Sequence, residues 1–216
     1  MSINKTSAVL GLGRYGRAVA EELVNNGAEV LAVDIDQNNV NNAIETIPVC
    51  KCADITEPEA IKRLGISNID VVIVAMASNL ESSVMAVTLC KEAGVPNVIV
   101  KCGNEMHQKI LSRVGADKVI FPEKESGIRL AKNLLTSGFM EMMELSDEVS
   151  MVELDVKDEW AGKTLIELNL RKKYSINVVA IRVGNQISTT VDPMLPLEKG
   201  MELIVIANTA KLKKLK

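Results

Sequence analysis

Three glycines, Gly11, Gly13 and Gly16, stand where an apolar run at residues 8–11 gives way to a helical pattern. A strand, a glycine turn and a helix in that order can hold phosphate. Gly11 permits the tight turn, Gly13 lets phosphate approach the backbone, and Gly16 lets the helix pack close to the sheet. The helix N-terminus adds unpaired amides and the positive end of its dipole. Asp34 closes a second apolar run, residues 29–34. It lies roughly 20 residues beyond the glycines, where a ribose-binding carboxylate is expected. That carboxylate repels a 2′-phosphate, so NAD(H) fits better than NADP. Arg14, inside the loop, adds a cation where a diphosphate is already served by the helix end. Such a cation suits a ligand with further phosphates, such as ATP.

Glu123 and Glu125 follow the last apolar run of this region, at the sheet edge where ligands of such a fold bind. A carboxylate beside polyphosphate is unfavourable unless a divalent cation, magnesium or calcium, lies between them. Acidic residues also favour a first helical turn, and on the residues alone both readings stand. Groups for catalysis are scarce. His107, the one histidine, falls in a polar helix-like stretch. Cys50 and Cys52 alternate along a strand and share a face, without further ligands at metal spacing. The last third of the chain holds no clustered acid–base pair. The chain therefore reads as a non-enzyme that binds a nucleotide, with an NAD-dependent oxidoreductase as the alternative. A nucleotide-dependent transcriptional regulator is a third reading, but only the lysines at 211, 213, 214 and 216 offer it a basic face.

The elements that must position these residues alternate. Strand-like runs occupy residues 8–11, 29–34, 49–52, 71–76, 97–101 and 118–121, with amphipathic stretches at 17–25, 57–64, 82–92 and 105–114. Near-continuous Val, Ile, Ala and Leu is the pattern of parallel strands covered on both faces. The alternation predicts a doubly wound α/β sheet of Rossmann type over residues 1–122. Residues 123–145 read as a long helix, with Ile128, Ala131, Leu134 and Leu135 on one face and Phe139, Met140, Met142 and Met143 beyond. That much apolar surface must find cover on its own sheet or on a partner. A smaller α/β unit fills 146–216, with strands at 151–156, 177–183, 186–191 and 202–207 and a short helix at 164–168 capped by Thr164.

Composition narrows the classes. Of 216 residues, 47% are apolar, enough for a sizeable core. A net charge of −3 gives no general pull toward nucleic acid, and 2% aromatic content leaves few platforms for stacking bases. No apolar run approaches the roughly 18–20 residues that cross a bilayer. The polar N-terminus lacks signal-peptide organisation, so a soluble, cytosolic chain is expected. Its four cysteines then read as buried thiols.

Taken together, GLGRYG at 11–16, LAVDID at 31–36, CADITE at 52–57, VIVAMASN at 72–79, NVIVKCGN at 97–104, GADKVIFPEKESG at 115–127 and INVVAIRVG at 176–184 resemble the RCK family. These are the regulator-of-potassium-conductance subunits of KtrA/TrkA type. The resemblance spans nearly the whole chain, with Gly200-Met201 in place of the frequent Gly-Asp before the last strand. It implies a cytoplasmic gating subunit on a membrane-embedded potassium channel or transporter. It also implies a crossover helix exchanged between subunits, and homodimers assembled into a ring, commonly an octamer. ATP, ADP or NAD(H) is expected in the Rossmann cleft. The implied contacts are Gly11, Gly13, Arg14, Tyr15 and Gly16 at the phosphates, Asp34 at the ribose and Asp54 on the adenine side. Ala75, Met76, Ser78 and Asn79 border the cleft, and Lys101 ends the fifth strand. Arg14 is expected to reach the terminal phosphate of the neighbouring subunit's nucleotide, and Glu123 to lie near a divalent cation between the two nucleotides. The C-terminal lobe resembles those that bind cyclic di-AMP, through Ile166, Leu170, Arg171, Ile176, Asn177, Val178 and Pro193.

Overall fold

The computed structural model describes residues 5–76, 79–135, 139–146 and 148–212. The chain divides into two compact units, Met1–Lys124 and Glu125–Lys216.

In the first unit, β1 (Ser7–Leu10), β2 (Val30–Asp34), β3 (Val49–Cys52), β4 (Val71–Val74), β5 (Asn97–Lys101) and β6 (Lys118–Ile120) form one parallel sheet. Their order is β3-β2-β1-β4-β5-β6. Helices α1 (Arg14–Asn25), α2 (Gln37–Ala43), α3 (Pro58–Arg63), α4 (Leu80–Glu92) and α5 (Glu105–Val114) connect them, with a 3₁₀ turn at Ile66–Asn68. This is the doubly wound arrangement that the alternation predicts. Parallel strands need cover on both faces, and alternate residues supply it. Ala8 and Leu10 pack with Val33, Val72, Val74 and Leu111 on one face, while Val9, Ala32 and Ile73 pack with Ala20, Val40 and Ile47 on the other. Connections leave β1 and β4 in opposite directions, so the carboxyl ends of these two neighbours open a crevice.

Helix starts follow local chemistry. Asp36, Asn79 and Asn104 accept hydrogen bonds from the amides of Asn38, Ser82 and His107, capping α2, α4 and α5. The sequence reading has no helix between the second and third strands. Its asparagine-rich segment folds as α2 because Asp36 caps it and Val40 and Ala43 reach the core. The expectation of four buried thiols also needs correction. Cys90 and Cys102 are fully buried and Cys50 half-buried, but Cys52 is exposed because β3 is an edge strand.

Helix α6 (Pro122–Leu135) begins at the end of the first unit. The long helix expected over 123–145 is shorter than that. Residues 139–144 instead form β7 (Phe139–Glu144), antiparallel to β8 (Val149–Asp155), with Met143 opposite Met151 and Glu144 opposite Ser150. A long-range ladder overrides the local pattern. The remaining elements are α7 (Leu165–Leu168), α8 (Leu170–Tyr174), β9 (Ile176–Val183), β10 (Gln186–Ser188), β11 (Met201–Asn208) and α9 (Thr209–Leu212). The second sheet runs β10-β9-β11-β8-β7, with every pairing antiparallel. Met201, Leu203, Val205 and Ala207 of β11 face a core that also holds Trp160, Leu168, Leu170 and Ile176. Lys157 lies over the Trp160 ring, 5.5 Å from its centre. Thr164 and Glu167 form a reciprocal capping box on α7. Of the basic tail, Lys213, Lys214 and Lys216 lie outside the described residues.

Burial pushes the Cys90 thiol up to about 12, which leaves almost no thiolate at neutral pH. Iodoacetamide at about pH 8 is therefore expected to alkylate Cys52 in the folded chain and Cys90 only after unfolding. Mass spectrometry of native and denatured samples reads the difference. Native alkylation of Cys90 would contradict the packing of α4 on the sheet.

Candidate functional site

The glycine loop bends over the end of β1. Gly11 has φ +99°, and a Cβ there would come within 2.8 Å of Met76 Cγ. A Cβ on Gly16 would lie 1.9 Å from the Gly11 carbonyl oxygen, so α1 sits as close to the turn as backbone allows. Gly13 differs. It has ordinary extended geometry and nothing within 4 Å of a built Cβ. The protein's own packing does not require glycine there, and the space a Cβ would fill is open to a ligand. As N-cap of α1, Gly13 offers no side chain to the first-turn amides, and that turn carries no acidic residue. An unfilled, positively polarised helix end faces the crevice.

Asp34, only 9% exposed, stands across from it. Its Oδ2 accepts from the Leu12 amide at 2.6 Å and its Oδ1 from the Asp36 amide at 2.8 Å. Each carboxylate oxygen keeps a second lone pair, so a ribose hydroxyl still finds an acceptor. Gly11, Gly13, Asp34, Asp54, Ala75, Met76 and Asn79 line one cleft of about 380 Å³, together with Ile35, Asn39 and Thr56. Thr56 donates to Asp54 Oδ1 from its hydroxyl at 2.6 Å and its amide at 2.9 Å, which holds the Asp54 carboxyl below the usual range. Ser78 lies outside the described residues. The cleft thus pairs the positively polarised end of α1 with the carboxylates of Asp34 and Asp54, a layout that fits phosphate at one end and hydroxyl or amine donors at the other.

A second group gathers beside the loop. Lys101 Nζ lies 2.6 Å from Glu123 Oε1 and 5.3 Å from the centre of the Tyr15 ring. The hydrogen bond from Lys101, with the charges of Lys101 and Arg14 behind it, holds the Glu123 carboxyl below the usual range. Arg14 itself is exposed at the first position of α1. Glu123 is a single carboxylate already engaged by a lysine, and no group of three metal-ligating side chains occurs among the described residues. On its own it does not make a metal site. The lone histidine, His107, is half-buried in the first turn of α5.

Sequence reasoning missed Thr56, Asn39 and the Lys101–Glu123 pair. Thr56 had a signal, since a hydroxyl two residues after an aspartate commonly bonds it. The other two had none, because each depends on neighbours brought together only by the fold.

In the second unit, Ile166, Arg171, Asn177 and Pro193 are exposed. The Ile166 amide donates to the Pro193 carbonyl, which brings those two together. Leu170 and Ile176 are 3% and 1% exposed, so their side chains back the wall from the core and are not part of its surface. Val178 is half-buried against the same core.

A family model described as the TrkA-N domain matches residues 7–122, and one described as the TrkA-C domain matches residues 149–216. The chain belongs to the RCK family of KtrA/TrkA type. Among its relatives is the Ktr system potassium uptake protein C of Bacillus subtilis (strain 168), 38% identical over 86% of this RCK chain and 84% of the relative. Ktr system potassium uptake protein A of the same organism is 36% identical over 98% and 95%. A solved structure titled GsuK Channel superposes with a TM-score of 0.69 at 15% identity, covering 98% of this RCK chain. This chain spans only 39% of that channel, and the likeness speaks to the fold alone. Among the described residues, no helix of the RCK chain is long and apolar enough to cross a membrane.

The two contrasting glycines give a direct test. Gly16→Ala forces backbone apart and is expected to cost about 2 kcal/mol or more in urea unfolding. Gly13→Ala is expected to stay within about 0.5 kcal/mol of the unaltered chain, while losing any stabilisation that an adenine nucleotide confers.

Proposed function

We propose that this chain is the nucleotide-sensing regulatory subunit of a membrane potassium uptake system. Likeness to two Ktr potassium uptake proteins, 38% and 36% identical over 86% and 98% of the chain, supports the transport role. The observation that carries the sensing role is the uncapped α1 terminus at Gly13, with Asp34 opposite it in one cleft. In this reading the first-turn amides of α1 take the phosphates of ATP, ADP or NAD(H). Asp34 accepts from the ribose hydroxyls, and Asp54, which can only accept, favours a base with an exocyclic amine. Arg14 points its charge into solvent, where a terminal phosphate, in this subunit or a neighbouring one, can meet it. Magnesium or calcium enters only if phosphate oxygens complete its shell and Glu123 turns from Lys101. The relatives' names lend nothing to an oxidoreductase.

Exposed Ile128, Leu130 and Leu134 on α6 support burial against a second copy, and so a homodimer that builds a larger ring on the cytoplasmic face of its membrane partner. Cyclic di-AMP is the proposed second ligand. Two copies of the smaller unit would present two Arg171 side chains to its two phosphates, with Ile166, Val178 and Pro193 beside its bases and Asn177 at a base edge.

Calorimetry on the purified chain tests the first site. Asp34→Ala is expected to weaken ATP, ADP and NADH alike by about tenfold or more, the loss of one charged hydrogen bond. Arg14→Ala should weaken ATP and spare ADP, and an equal loss for both would remove Arg14 from triphosphate recognition. For the second site, Arg171→Ala should weaken cyclic di-AMP by about tenfold or more and leave ATP unchanged. Absence of cyclic di-AMP binding by the unaltered dimer would make that surface purely structural.

A further inference from the structure

Strand β3 ends the first sheet with one side unpaired, since it is bonded to β2 alone. The Ala53 amide donates to the Asp34 carbonyl at 3.0 Å, which fixes the way the strand faces. Main-chain groups alternate sides along a strand, so those of Val49 and Lys51 also turn toward β2. Those of Cys50 and Cys52 turn outward. A groove runs beside this free edge. One cavity of about 620 Å³ lies between β3 and α3, and a second of about 460 Å³ meets it at Leu31 and Val49. Together they follow the strand from Pro48 to Ala53, over an apolar lining that includes Leu31, Val49, Ala60 and Leu64. The groove shares no lining residue with the cleft that holds Asp34.

Two cations stand over it. Lys51 and Arg63 line the wider cavity, both are exposed, and neither enters an ion pair among the described residues. Glu59, whose carboxyl feels the charge of Arg63, is paired with Lys62 instead. Glu29 is exposed at the other end, beside the narrower cavity. Lysine on an edge strand guards against pairing with further copies. Antiparallel pairing of two β3 strands about Lys51 would set one ammonium against the other, which is unfavourable. The same charge favours a strand of opposite sign.

We propose that the β3 edge is a docking site for an extended, acidic segment of another protein, which adds a strand to the sheet through the outward main chain of Cys50 and Cys52. An apolar side chain of the segment enters the groove over Leu31 and Val49, and its carboxylates meet Lys51 and Arg63. Glu29 repels a carboxylate at the far end, so the acidic residues belong at the Lys51 end. About five residues, at about 3.3 Å each, cover the strand.

Displayed random heptapeptides, selected on the full chain without nucleotide, test the site apart from the cleft. The enriched sequences are expected to alternate β-branched and acidic residues. A synthetic copy of one should slow hydrogen exchange at the Cys50 and Cys52 amides and slow alkylation of the Cys52 thiol by iodoacetamide. Lys51→Glu and Arg63→Glu should each weaken that peptide by about tenfold or more, and Lys51→Arg should keep its binding. Both positions are exposed, so circular dichroism of each variant is expected to match the unaltered chain. Enrichment of no acidic peptide, or equal binding to the charge-reversed variants, overturns the proposal. Unchanged exchange at the two amides overturns it as well, because the peptide would then lie in the groove without joining the sheet. So does protection of those amides that grows with the concentration of the chain alone, since a second copy would then hold the edge.

Discussion

The carboxylate of Asp34 ties the first unit together at its working end. One of its oxygens accepts the amide of Leu12 in the loop after β1, and the other accepts the amide of Asp36 at the start of the next connection. Two adjacent strand ends are thereby held in register by a side chain that is almost out of solvent. Charged acceptors bind amides more strongly than neutral ones, so the turn at Gly11 is set before any ligand arrives. The close approach of α1 at Gly16, the opening above Gly13 and the position of Tyr15 all follow from that turn. A looser connection would let the helix drift outward and close the space at its own terminus.

Much of this was legible in the residues because it is local. Apolar runs of four to six residues, glycines at helix ends and asparagine or aspartate before helical stretches are read within a few positions. Hence the six parallel strands, the loop and Asp34 were recoverable. The strand at Phe139–Glu144 was not, since an apolar, methionine-rich run serves a helix face as well as a ladder. Only its partner β8, absent from any local window, decides the matter. The same limit hid the Lys101–Glu123 pair, whose members lie 22 residues apart and meet because β5 ends and α6 begins at one edge of the sheet. Cys52 shows a third kind of miss. Strand membership was clear, but whether a strand is central or at the edge is a property of the whole sheet.

The second unit repeats the lesson in a different material. Its antiparallel strands alternate, and β11 reads buried and half-buried in strict turn. The family resemblance implies that Leu170 and Ile176 contact a ligand beside Arg171 and Asn177. The core claims both. What remains exposed of that group is Ile166, Arg171, Asn177 and Pro193, with the packed aliphatic residues of the core behind them.

Trp160 is the single tryptophan of the chain, and it lies in the core of the smaller unit beneath the Lys157 ammonium. Its indole is therefore a spectroscopic beacon confined to one half of the molecule. Emission excited at the red edge of the indole band reports the state of that half alone, while circular dichroism sums over both. The two optical signals, followed side by side through a melt, separate the cooperativity of one unit from that of the other without any label being attached.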